Sequence, residues 1–90
     1  MDKTAYLLED ADRAVVRAHT ALADKVSYLA ERMTRLAARL QAEGTGASVN
    51  ELGEVQGLGA DVDRLCALLH AARQTRDLSR QVAEAAKEAR

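Results

Sequence analysis

The chain has 90 residues and a net charge of −1 from 13 basic and 14 acidic side chains, a balance that gives no general drive toward nucleic acid or an anionic membrane. It has no Trp, Phe or Pro, and its apolar content is mostly 19 alanines and 12 leucines, which argues against a bulky globular core. One cysteine, Cys66, excludes an internal disulfide and suits a reducing compartment.

Heavy use of Ala, Leu, Arg, Glu and Lys fits long helices packed closely side by side, in one domain at most. The opening MDKTAYLLED has no apolar signal core, and no run approaches the ~18 apolar residues of a membrane span. A cytoplasmic location is therefore expected.

A first helix is predicted over about 2–43, with Asp2 or Thr4 as its cap. Leu8, Val15, Leu22, Leu29 and Leu36 recur every seven residues, and Asp12, His19, Val26, Met33 and Leu40 follow four places on. This is a 3-4 apolar repeat, strong from Leu22 to Leu40 and diluted before it by Asp12 and His19. A third row, Val16, Ala23, Ala30 and Ala37, widens the stripe with small residues, which suggests contact with more than one neighbouring helix. At ~1.5 Å per residue the helix would be about 60 Å long.

All five glycines lie in EGTGASVNELGEVQGLGAD, between Glu43 and Asp61. Gly44 suits a helix C-terminus, and Ser48-Val49-Asn50-Glu51 matches a capping box, so a Gly-rich turn over 44–48 is predicted to reverse the chain. A turn that short makes the two helices antiparallel neighbours. Gly53, Gly57 and Gly59 admit two readings. The helix continues, with a kink near 57–60 or with Gly53 and Gly57 allowing close approach of a partner. Alternatively it breaks at Gly57-Leu58-Gly59 and restarts with Asp61 as cap. A phosphate-binding loop is not supported: GxxxxGK[ST] is absent, and no lysine lies between Lys25 and Lys87.

The second helix is predicted over about 49–90. Leu58, Val62, Leu65, Leu69 and Ala72 form one seam, and Leu68, Ala71, Thr75, Leu78, Val82, Ala85 and Ala89 form another, shifted by one residue. Lys87 and Arg90 suit a helix C-terminus.

The predicted fold is all-α: a long, coiled-coil-like antiparallel hairpin that dimerises into a four-helix bundle. One antiparallel partner helix cannot cover so wide an apolar face, and soluble monomers rarely leave a long leucine stripe exposed. The expected interface residues are Leu8, Val15, Leu22, Val26, Leu29, Met33, Leu36, Leu40, Val62, Leu65, Leu69, Leu78 and Val82. The expected partner is a second copy or another helical protein.

Few residues offer chemistry. With the turn centred near 45–47, residue 19 falls opposite residue 73 and residue 70 opposite residue 22, which puts His19 and His70 about one turn apart. Cys66 and His70 share a helix face at i, i+4. A His19/Cys66/His70 set could hold zinc or another transition metal; the plainer reading is a small apolar cysteine and seam-edge histidines. His19 at a seam position could alternatively make dimerisation pH-dependent. A Cys–His nucleophile lacks a pocket, and neither histidine has a carboxylate three residues before it, as a di-iron bundle needs. No enzyme activity, cofactor or small-molecule substrate is expected.

Arg32, Arg35 and Arg39 form one basic face, while Arg73, Arg76 and Arg80 form another near Arg13 and Arg17. This second band could contact phosphates. Asp10, Asp12, Asp77 and Glu84 lie close enough to pair with much of it, and no stacking aromatics accompany it. Tyr6 and Tyr28 read as seam-edge packing residues.

A non-catalytic interaction or assembly module, structural or adaptor, is the leading expectation. The alternatives are an exported small hairpin that pairs with a paralogue, and a nucleic-acid-associated accessory protein using the arginine band. The outline is similar to the Trp-x-Gly family of small exported helical hairpins, which implies the second class. Leu52-Gly53 occupies the position of that family's Trp-x-Gly without the tryptophan, and the Tyr-x-x-x-Asp/Glu spacing falls at Tyr6 to Asp10 rather than at the C-terminus.

Overall fold

The computed structural model describes residues 3–43 and 49–89. Helix α1 spans Lys3–Glu43 and helix α2 spans Val49–Glu88. The backbone bond from the Ala89 amide to the Ala85 carbonyl (3.0 Å) carries the helical pattern one residue further. The two helices form an extended hairpin 69 Å long and only 15 × 14 Å across. The predicted caps Asp2 and Thr4, the turn over 44–48, the Ser48 half of the capping box and Arg90 lie outside the described residues and side chains.

Ion pairs mark the antiparallel register. Arg39 of α1 pairs with Glu51 of α2 near the turn, and Asp12 pairs with Arg80 at 3.9 Å near the open end. The Asp12–Arg80 rung is the one that a turn centred near residue 46 predicts.

The inner seam of α1 differs from the expected one in its second row. Leu8, Val15, Leu22, Leu29 and Leu36 do turn toward α2. The row that joins them lies three residues on, Ala11, Ala18, Lys25 and Arg32, rather than four on. Small Ala11 and Ala18 let the backbones approach. Lys25 and Arg32 lay their apolar stems along the seam with the charged heads at its edge, where Arg32 meets Glu54. On α2 the inner seam is Val55, Leu58, Val62, Leu65, Leu69 and Ala72, continued by Arg76, Ser79 and Ala83.

Among the described residues only Ala11, Leu36, Leu58 and Leu69 are buried. The other seam residues are half-buried, because a pair of helices shares one contact line and leaves its edges wet.

The helix runs unbroken through Gly53, Gly57 and Gly59, which decides between the two readings of the glycine cluster. None of the three has a left-handed φ, and a Cβ on any of them would meet no atom within 4 Å. The close-approach explanation therefore does not hold within the hairpin, where these glycines face open space.

Among the described residues Arg76 is the one misfit in the inner seam. Its Nε is buried without a hydrogen-bond partner, and the nearest carboxylate oxygen, Asp77 Oδ1, is 3.7 Å away. A buried donor left unpaired costs about 1–3 kcal/mol. Replacing Arg76 with Leu is therefore expected to raise hairpin stability by about 1 kcal/mol, read as an upward shift in the thermal midpoint by circular dichroism. A downward shift would show that the guanidinium stabilises the seam.

Candidate docking surface

Once the inner seam is made, each helix still carries a second apolar seam that faces outward. On α1 it consists of two interleaved rows, Val16, Ala23, Ala30 and Ala37 with His19, Val26, Met33 and Leu40. All of these residues are exposed, and Val16, Val26, Met33 and Leu40 keep between 42% and 64% of their surface. On α2 the outer seam is the shifted one, with Leu68, Leu78 and Val82 exposed.

The two outer seams lie on opposite flanks. Leu7 and Asp12 are about 140° apart around α1, on either side of the inward-facing Leu8 and Ala11. Leu7 lines an open cleft of about 170 Å3 with Thr75, Leu78, Ser79 and Val82, so the α2 seam belongs to the Leu7 flank. Asp12 pairs with Arg80 on the other flank. Stepping by sevens from that pair along both strands of the hairpin leads through His19 and Arg73, Val26 and Cys66, Met33 and Gly59, to Leu40 and Leu52. The Asp12 flank is thus polar at the open end and apolar toward the turn. The Leu7 flank carries its apolar cleft at the open end.

The thirteen residues expected to form interfaces divide accordingly. Leu8, Val15, Leu22, Leu29, Leu36, Val62, Leu65 and Leu69 belong to the inner seam. Val26, Met33 and Leu40 lie on one outer flank, and Leu78 and Val82 on the other. Leu7 and Leu52, both exposed, join these flanks although neither stood out in the sequence. Continuing each seven-residue step across the turn would have found Leu52. Leu7 joins the α2 seam only through contact across the hairpin.

The chemistry-bearing candidates do not converge. His19, Cys66 and His70 are all exposed, and among the described residues no group of three or more His, Cys, Asp or Glu is placed to hold a metal ion. Tyr6 and Tyr28 are exposed too.

The arginines of the turn-proximal basic face are each matched by a carboxylate. Arg32 pairs with Glu54, Arg39 with Glu51, and Arg35 with Glu31 at 2.8 Å. The Glu54 hydrogen bond pushes the Arg32 guanidinium above its usual range, against a smaller opposing effect of burial. Three of these side chains, with Ala38 and Glu51, line a shallow groove of about 350 Å3 whose cations are already neutralised. In the second band, Arg13 meets Glu9 at 3.4 Å, Arg76 lies 3.7 Å from Asp77, and Arg80 lies 3.9 Å from Asp12. Arg17 and Arg73 are exposed and form none of the ion pairs seen among the described residues. Among the described residues no helix is long and apolar enough to cross a membrane.

Comparison with protein-family models, curated proteins and solved structures returns no match.

Proposed function

We propose that this chain is a non-catalytic assembly module that works by adding helices to its own hairpin, with a second copy as the first partner. The observation that carries the reading is the pair of outer seams. Apolar residues recur at 3-4 spacing on faces that the hairpin itself leaves in water. Burial of such area is favourable at roughly 25 cal/mol per Å2, and a helical partner with the same period is the shape that fits it.

The arginine bands support a phosphate-binding alternative less well, because most of their cations already face a carboxylate. Pairing with a paralogous hairpin would use the same seams.

Sedimentation equilibrium of the full chain tests the reading. The weight-average mass is expected to rise toward that of a dimer or larger species as concentration increases through the micromolar range. A mass that stays at one chain even at high concentration would remove self-association from the proposal.

A further inference from the structure

Resting on the self-association reading, we infer that the outer seam of α1 docks antiparallel on the same seam of a second copy, about a twofold axis level with residue 28.

The seam is complementary to its own reverse. Laid antiparallel about that level, Ala23 meets Met33 of the second copy, Ala30 meets Val26, Ala37 meets His19, and Val16 meets Leu40. Three of the four kinds of layer place an alanine under a larger side chain. Parallel pairing would set Ala23 on Ala23, Ala30 on Ala30 and Met33 on Met33. That arrangement alternates voids with crowded layers, and both destabilise a packed interface. Alternation of large and small across facing positions is what lets layers interdigitate.

Charge points the same way. From residue 16 to residue 40 both rows of this seam lack Asp, Glu, Lys and Arg, which make up 30% of the chain. The bordering row, Thr20, Ser27 and Thr34, is uncharged as well. The Thr34 hydroxyl donates to the Ala30 carbonyl at 2.9 Å, so it brings no unmet donor to a partner. With His19 its only titratable side chain, the strip brings no carboxylate, ammonium or guanidinium to desolvate and little to attract a polyanion.

The area also suits a second hairpin. The strip is about 36 Å long at ~1.5 Å per residue and about 10 Å wide, a flat footprint of roughly 360 Å2 for α1 alone. On the same flank α2 presents Leu52, Gly59 and Cys66 beside it over about 21 Å, so a partner that is itself two helices wide covers roughly 200 Å2 more, about 570 Å2 per copy. That is nearer the ~800 Å2 per partner of a standard specific interface than the roughly 360 Å2 a single helix would cover.

Disulfide trapping of the full chain in a Cys66→Ser background tests the orientation. Ala23→Cys protein mixed with Met33→Cys protein is expected to yield a linked dimer on mild oxidation, while each alone stays unlinked. In the antiparallel arrangement two copies of residue 23 sit about 15 Å apart along the axis, far beyond the ~7 Å Cα reach of a disulfide. Linkage of Ala23→Cys with itself would establish a parallel pairing and overturn the inference. No linkage in the mixture, from protein that still sediments as a dimer, would overturn it while leaving self-association intact.

Affinity supplies the second readout. Met33→Glu is expected to weaken dimerisation at least ~10-fold, with the helical signal retained because Met33 does not support the hairpin itself. Leu78→Glu, on the opposite flank, is expected to change it less than ~2-fold. The reverse order would move the interface to the α2 seam and refute the inference.

Discussion

Replacing Leu69 with alanine is expected to destabilise the folded hairpin by about 2–3 kcal/mol, near the lower end of the range for truncating a buried leucine. Leu69 is 6% exposed and is one of only four buried apolar residues among those described, so no second layer shares the loss. Small domains are stable by only a few kcal/mol, and a loss of this size should leave a large unfolded fraction at physiological temperature. The same truncation at Leu78, 61% exposed, should cost less than about 1 kcal/mol. Thermal and urea melts of both variants at one fixed protein concentration make the comparison, since dimerisation links midpoint to concentration. Equal losses would mean that Leu78 is covered as thoroughly as Leu69, which would require a partner on the α2 flank.

The triple replacement Gly53→Ala, Gly57→Ala and Gly59→Ala is expected to stabilise the chain by about 2 kcal/mol. Each glycine lies inside continuous α2, none has a left-handed φ, and an added Cβ meets nothing within 4 Å. Alanine then removes conformational freedom from the unfolded chain at no steric cost, worth about 0.4–1 kcal/mol per site. The gain should appear as slower amide hydrogen exchange in the first turns of α2 and a higher thermal midpoint. A loss of stability instead would show that a partner helix crosses close to at least one of these glycines in the assembled state. Single replacements would then identify which residue it touches.

Much of the architecture was legible in the residues. The seven-residue recurrence of Leu8, Val15, Leu22, Leu29 and Leu36 fixes one row of an inward face, and it depends only on helical period. Confining the glycines to the stretch between Glu43 and Asp61, with no proline anywhere, leaves one place for the chain to reverse. That placement alone sets the rung on which Asp12 meets Arg80. The two α2 seams are also distinct in the sequence, because Leu68 and Leu69 begin different periods.

Other choices were not readable from one helix at a time. Leu8 is followed at three places by Ala11 and at four by Asp12, and this pattern repeats as Ala18 or His19, Lys25 or Val26, and Arg32 or Met33. By hydropathy the Val26–Met33 row should face α2. The structure turns Lys25 and Arg32 inward instead, because their long stems can lie along α2 while their ends reach water or Glu54. That rotation determines which apolar row is left outside, and so which residues a partner meets. Hydrophobic period determined that this chain makes two long helices with more apolar surface than a pair can bury. Only the packing of α1 against α2 decided how that surplus is divided between the two flanks, because the rotation of a helix about its own axis is set by its neighbour.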